Sequence, residues 1–384
     1  MTVNRMILNE TSYFGPNARQ ALKTEYQSRG YKKALVVSDK NLVDAGITGK
    51  VLSVLDEAGI SYEIFSDLKP NPTVTSVKAG VNKFKEIGAD SIIAVGGGSS
   101  IDVSKAIGII IANPEHDDVV SLAGAVDTKN KSVPIIALPT TAGTAAEVTI
   151  NYVITDEETK TKMVCVDPHD IPVLSIVDTE LMAGMPASIA ASTGMDALTH
   201  AMEGYITKAY WCMTDMMHMK AIQMIFENLD KAVNDKDPEA INNMGIAQYI
   251  AGMGFSNVGL GIVHSMAHQL GAVYDTPHGV ANALLLPHVL KYNGAVCPDK
   301  FREMGIGIGL DMSGLSDTEA VDKVVDAVKE LATKVNIPQT LNEIGVKEED
   351  IHYLSEKALV DPCTGGNPRE TSVEDIEKIY RGAF

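Results

Sequence analysis

The chain has 384 residues, enough for two domains and a large buried core. Hydrophobic residues make up 45% and charged residues 21%, which excludes a disordered chain. Fifty acidic residues against 32 basic ones give a formal net charge of −18, so the surface repels phosphate backbones and anionic lipid. No nucleic-acid partner and no membrane partner is expected.

Four cysteines, Cys165, Cys212, Cys297 and Cys363, are scattered without a CxxC pair, so neither a zinc ribbon nor a disulfide framework is expected. The start, MTVNRMILNETSYFG, lacks the apolar run of a signal peptide. The expectation is a reduced, cytoplasmic protein. Residues 240–274 contain no Asp, Glu, Lys or Arg, yet carry Gln248, His264, His268 and several glycines. Such polar groups are costly in hydrocarbon, so a buried helix pair is expected there instead of a membrane span.

In chain order, the first half alternates strands and helices. The apolar runs 34–38, 62–66, 91–98, 133–139 and 173–178 are β-branched and nearly continuous, as strands covered on both faces should be. Helical patterns at 73–87 and 100–111 lie between them, which implies a parallel α/β layer. From about residue 186 the period becomes helical, at 188–207, 215–233, 238–252, 319–335 and 372–382. The expected division is an α/β domain over 1–185 and an all-helical domain over 186–384.

Residues 91–105, SIIAVGGGSSIDVSK, place Gly96, Gly97, Gly98 and Ser99 between a buried strand and a helix. Backbone without side chains approaches a ligand closely, and a helix N-terminus offers free N–H groups to a pyrophosphate. A tight strand–helix turn would explain three glycines too, but phosphate binding is the favoured reading. A second small, hydroxylated loop, PTTAGTAAE, follows another strand and carries Thr140 and Thr141, either of which could instead serve as a helix cap. Ligands of open α/β sheets bind beyond such strand ends, so two loops together favour a nucleotide. Asp39 follows the strand 34–38, where a carboxylate can accept ribose hydroxyls and repel a 2′-phosphate, or simply be a solvated turn residue.

Six of the nine histidines lie between His200 and His288. Asp196 and His200 are four apart, about 40° around a helix, and Asp196 is the sole charged residue between Glu180 and Glu203. His264 and His268 repeat that spacing, and His278 follows in TPHG. One carboxylate with two or three imidazoles suits Fe(II), Zn(II) or another first-row metal; buried, hydrogen-bonded histidines are the alternative.

GGGSSIDVSK, PTTAGTAAEVT, DALTHAMEGY and HSMAH…PHGVANALLLP, in this order and spacing, resemble the iron-containing (group III) alcohol dehydrogenases over essentially the whole chain. NRMILNET, INYVITDEE, VCVDPHDIP and CTGGNPRE look closest to the members that interconvert lactaldehyde and 1,2-propanediol.

The resemblance implies the dehydroquinate-synthase-like fold: an α/β N-terminal dinucleotide-binding domain with a parallel sheet, plus an all-α C-terminal domain, with the site in the cleft between them. It implies metal ligation by Asp196, His200, His264 and His278, with iron as the metal and Zn(II) as an alternative. It implies NAD(H) at Gly96, Gly97, Gly98 and Ser99, with Asp102 on the nicotinamide side, Thr140, Thr141 and Thr144 in the second loop, and Asn71 and Lys162 lining the cofactor cleft. Asp39 matches the position that separates NAD from NADP users, and His268 matches a catalytic-site histidine that is not a ligand.

A small alcohol or aldehyde substrate and a homodimer are implied as well. Ser265 stands where Gly or Ala is usual, and Gln269 where Pro is frequent. A metal- and NAD-dependent sugar-phosphate cyclase would want Lys or Arg that residues 240–274 lack. A non-catalytic metal-binding assembly protein would not need both nucleotide loops.

Overall fold

The computed structural model describes residues 3–68 and 71–384. They fall into two compact units, 1–184 and 185–384.

The first unit is built on a six-stranded sheet. Its strands are β1 (Thr11–Phe14), β2 (Lys33–Val37), β3 (Ser61–Phe65), β4 (Ser91–Gly96), β6 (Ile135–Pro139) and β9 (Leu174–Val177). The order is β1-β9-β6-β4-β2-β3, with every pairing parallel. A second sheet holds β5 (Gly124–Ala125), β7 (Asn151–Asp156) and β8 (Thr161–Val166).

The apolar runs are continuous because both faces of the main sheet are buried. Leu35, Val37, Ile92, Ala94, Ile135 and Ala137 join one core; Ala34, Val36, Ile93, Val95, Ile136 and Leu138 join the other. Successive residues point to opposite faces, so each strand feeds both cores. All five expected strands are present. Absent from the sequence reading are β1, four residues at the sheet edge, and the small second sheet.

The helix Val74–Ile87 starts at Thr73, whose hydroxyl accepts the Ser76 N–H at 3.2 Å, and ends at Gly88 in the left-handed region (φ 63°). The helix Gly98–Ala112 is buried on nearly every side, because it packs on β4, β6 and β7.

The chain passes from β2 outward to β3 and then back across to β4, so the strand order reverses between β2 and β4. The carboxyl ends flanking that reversal are where open α/β sheets bind ligands.

The second unit contains helices Ala187–Ile206, Cys212–Asp230, Pro238–Val258, Ile262–Tyr274, His278–Gly294, Pro298–Gly307, Asp317–Lys334, Ile351–Leu359 and Val373–Arg381, with no strand among its described residues. Pro238–Val258 and Ile262–Tyr274 meet at a bend of 102°, and among the described residues no single helix is long and apolar enough to cross a membrane. They are largely apolar because they are largely buried.

Candidate functional site

Three loops gather at the carboxyl ends of β2, β4 and β6, neighbours in the sheet. Gly96 ends β4, and Gly97 is the N-cap of the helix Gly98–Ala112 with no side chain capping it. An uncapped first turn of this kind suits an anionic ligand. The second loop lies against this turn: Thr140 N–H donates to the Gly96 carbonyl at 3.0 Å. A Cβ at Gly98 would come within 3.0 Å of Thr144 Cγ2, so glycine there permits the close approach of the two loops. Thr140 is buried, while Ser99, Thr141 and Thr144 are half-buried.

Asp39 caps the short helix Lys40–Asp44: its Oδ1 accepts the Leu42 N–H at 3.1 Å. Lys162 Nζ donates to Asn71 Oδ1 at 3.3 Å. Asp102 Oδ2 accepts the Val153 N–H at 3.1 Å, and burial pushes its carboxyl up to about 7, against the pull of Lys105 and Val153.

In the second unit Asp196, His200, His264 and His278 offer ligand atoms that all lie within 4.8 Å of one another. The first two come from helix Ala187–Ile206, where i, i+4 spacing puts them on one face. His264 is in the first turn of Ile262–Tyr274, and His278 begins His278–Gly294.

Gly279 explains how the last arrives. A Cβ there would sit 2.4 Å from the Ser192 carbonyl oxygen, so only glycine lets this helix end close on the helix that carries Asp196. Burial, followed by the neighbouring His200, His278 and His268, drives His264 well below the ordinary histidine value. The neutral imidazole is the form that ligates metal. One carboxylate and three imidazoles fit a divalent first-row ion.

His268 stands outside this set of four. Its ring centroid is 5.5 Å from that of His278 and 6.1 Å from that of His264. Its Nδ1 is 2.9 Å from Asp361 Oδ2.

Two further residues complete the centre. Glu203, buried one turn beyond His200, lies 2.6 Å from His264 Nδ1 and also accepts the Val263 N–H at 2.8 Å. Burial pushes the Glu203 carboxyl up to about 8, while backbone donors at Val263, Gly261 and His264 pull it back. Because Glu203 takes Nδ1, His264 Nε2 is left as the ligand atom.

Asn282 is fully buried. Its Nδ2 donates to Asp196 Oδ1 at 2.6 Å and lies 3.0 Å from His278 Nε2 and 3.2 Å from His264 Nε2. The signal for Glu203 was its place at i+7 from Asp196, on the same helix face. Asn282 carries no charge and no periodic signature.

Glu203→Gln should weaken divalent-metal binding by about 10- to 100-fold, the usual cost of losing a carboxylate behind a ligating histidine. Competition with a chromogenic chelator measures it. A change below threefold would mean that the His264 ring is fixed by its packing alone.

Lys105 is an unusual buried charge. Its Nζ lies 2.6 Å from Thr149 O, 3.0 Å from Thr149 Oγ1 and 2.8 Å from Asn151 O, and 3.8 Å from Asp170 Oδ1. Lys105 and Asp170 are both fully buried, and among the described residues neither Asp170 oxygen has a hydrogen-bond partner.

Known proteins are similar to this chain over nearly its whole length. The model of the iron-containing alcohol dehydrogenase family matches residues 9–179, and that of the Fe-containing alcohol dehydrogenase family, C-terminal, matches 190–384. The chain is 55% identical over 382 residues to the lactaldehyde reductase of Escherichia coli (strain K12), covering 99% of this chain and 100% of that one. It is 45% identical to the 1,3-propanediol dehydrogenase of Klebsiella pneumoniae, covering 98% of each.

Among solved structures, 1,3-propanediol oxidoreductase superposes with a TM-score of 0.97 at 44% identity, over 100% of both chains. The sulfoacetaldehyde reductase of Bifidobacterium kashiwanohense, solved with NAD+, gives 0.90 at 30% identity, over 100% of this chain and 99% of that one.

Proposed function

Because the chain belongs to the iron-containing alcohol dehydrogenase family, we propose that it interconverts a short aldehyde and its primary alcohol with NAD(H), lactaldehyde and 1,2-propanediol being the pair. The observation that carries the reading is the convergence of Asp196, His200, His264 and His278 in a chain that also presents an uncapped glycine turn at a sheet reversal. The choice of pair follows the lactaldehyde reductase that is 55% identical. Residues 1–185 then form the NAD-binding domain and 186–384 the metal and substrate domain.

The four ligands would hold Fe(II), or Zn(II), which the same donor set accepts. When bound, the ion supplies Lewis-acid polarisation of the carbonyl and NADH supplies the hydride. The chain's own residues do the rest. N–H groups at Gly96, Gly97, Gly98 and Ser99 bind the pyrophosphate, with Thr140, Thr141 and Thr144 closing over it. Asn71, Lys162 and Asp102 line the remainder of the cofactor. His268 gives a proton to the new alcohol oxygen, so that aldehyde, NADH and one proton become alcohol and NAD+. In the reverse direction it takes that proton back.

The four free cysteines suit a reducing cytoplasm. A homodimer is the assembly we propose.

The reading is tested with full-length protein loaded anaerobically with Fe(II) or Zn(II) and offered lactaldehyde, glycolaldehyde, butanal and 3-hydroxypropanal. NADH oxidation should be fastest with lactaldehyde. No turnover of any of them with either metal would overturn the proposal.

Cofactor choice rests on Asp39. Oδ1 is engaged by Leu42, which leaves Oδ2 for an adenosine ribose hydroxyl. A 2′-phosphate there would meet the carboxylate. NAD(H) should be preferred over NADP(H) by at least about tenfold in kcat/KM, ~1.4 kcal/mol. Asp39→Gly should narrow that ratio and weaken NADH binding. Equal use of both cofactors by the wild type would reduce Asp39 to a helix cap.

A further inference from the structure

We propose that Asp361 is a positioning residue for the reaction: it fixes the His268 ring with Nδ1 protonated, so that Nε2 is the atom that exchanges a proton with the reacting oxygen. The inference rests on His268 being the proton-handling group.

The geometry is specific. Asp361 Oδ2 lies 2.9 Å from His268 Nδ1, and both side chains are less than one-tenth exposed, at 9% for His268 and 8% for Asp361. A carboxylate has only acceptors, so Nδ1 must carry the hydrogen and the lone pair falls to Nε2. Burial alone would raise the Asp361 carboxyl; the His268 and Cys363 donors bring it below the ordinary carboxylate value.

The carboxylate is itself held in place. It caps the 3-10 turn Pro362–Gly366, where Oδ1 accepts the Cys363 N–H at 2.9 Å. That turn is tied to the helix carrying His264 and His268: the Thr364 hydroxyl lies 2.7 Å from the Ser265 hydroxyl and 2.7 Å from the Ala358 carbonyl oxygen. Ser265 Oγ is also 3.4 Å from Asp361 Oδ1. The Ser265 hydroxyl gives this chain a link between turn, carboxylate and helix that a smaller residue could not make. The histidine and its orienting acid are 93 residues apart in the chain.

The role separates from simple capping through Asp361→Asn. The amide is isosteric, so its oxygen can keep the Cys363 N–H and the turn. Its NH2 then faces Nδ1 and can only donate, which moves the ring hydrogen to Nε2. In the metal-loaded, full-length variant we expect kcat at least about 100-fold lower, the scale of a lost general acid–base group. Metal content should be unchanged and the aldehyde KM should stay within about threefold. The 15N spectrum of histidine-labelled, Zn(II)-loaded protein should show His268 switching from the Nδ1–H to the Nε2–H form.

A kcat within threefold of wild type, or loss of metal together with activity, would overturn the positioning role. His268→Ala is run in parallel. If that variant keeps its full kcat, the reading of His268 itself falls and takes this inference with it. If it is slow while Asp361→Asn is fast, only the role of Asp361 is lost.

Discussion

His200→Ala should lose bound metal and turnover together while retaining NADH. His200 is one of four side chains whose ligand atoms lie within 4.8 Å of one another, and it comes from the helix that also supplies Asp196. A full set of four such ligands is worth about 10–16 kcal/mol in small structural zinc sites. One ligand in four is then worth about 3 kcal/mol, or roughly 100-fold in the metal dissociation constant. Turnover should fall further, by at least about 1000-fold, because several kcal/mol of carbonyl polarisation go with the ion.

The nucleotide turn belongs to the other unit, so the NADH dissociation constant should stay within about threefold. Metal analysis after dialysis against a chelator, with NADH fluorescence titration on the same sample, reads both. Retention of one metal per chain would remove His200 from the ligand set. Loss of NADH binding would show that the α/β unit depends on the metal centre for its own order.

Lys105→Met should cost about 3–5 kcal/mol of stability, the penalty for removing one partner of a buried ion pair. Two carbonyl oxygens and the Thr149 hydroxyl surround Nζ at 2.6 to 3.0 Å, and an ammonium can donate to all three at once. It is drawn down in pKa by burial and supported by Asp170, Asp102 and Glu147. Methionine fills similar space but leaves the carbonyls of Thr149 and Asn151 without a donor and Asp170 without a counter-charge. Asp170→Asn in the same background should recover part of the loss, because it removes the uncompensated carboxylate. Urea unfolding of the two single variants and the double variant gives the coupling. A single-variant loss below 1 kcal/mol would mean that Asp170 is protonated in the folded protein and that the pair is not ionic.

Much of this was legible because it is local. The run SIIAVGGGSS encodes a strand, a turn and a helix start within ten residues, and the structure places all three there. Asp196 and His200 are readable because helical spacing puts them on one face, and His264 and His278 because their motifs resemble the family's.

What stayed hidden is held by long-range contacts. Glu203 meets His264 across 61 residues, Asn282 meets Asp196 across 86, and Asp361 meets His268 across 93. Helical spacing puts Glu203 on the face of Asp196, but no periodicity records its partner or those of Asn282 and Asp361. The edge strand β1 was hidden for a different reason: four residues, none of them fully buried, give too short and too polar a pattern to stand out.

The two-faced sheet has a consequence for how this chain can change. Leu35 and Val36 are covalent neighbours but belong to separate cores, whereas Leu35 and Ala94 share one from different strands. Compensation for a lost methyl at 35 must therefore come from across the sheet and never from the next residue. Drift in such a domain divides into two nearly independent repacking problems, interleaved one residue apart along the same strands, and either face can be rebuilt while the other is left as it is.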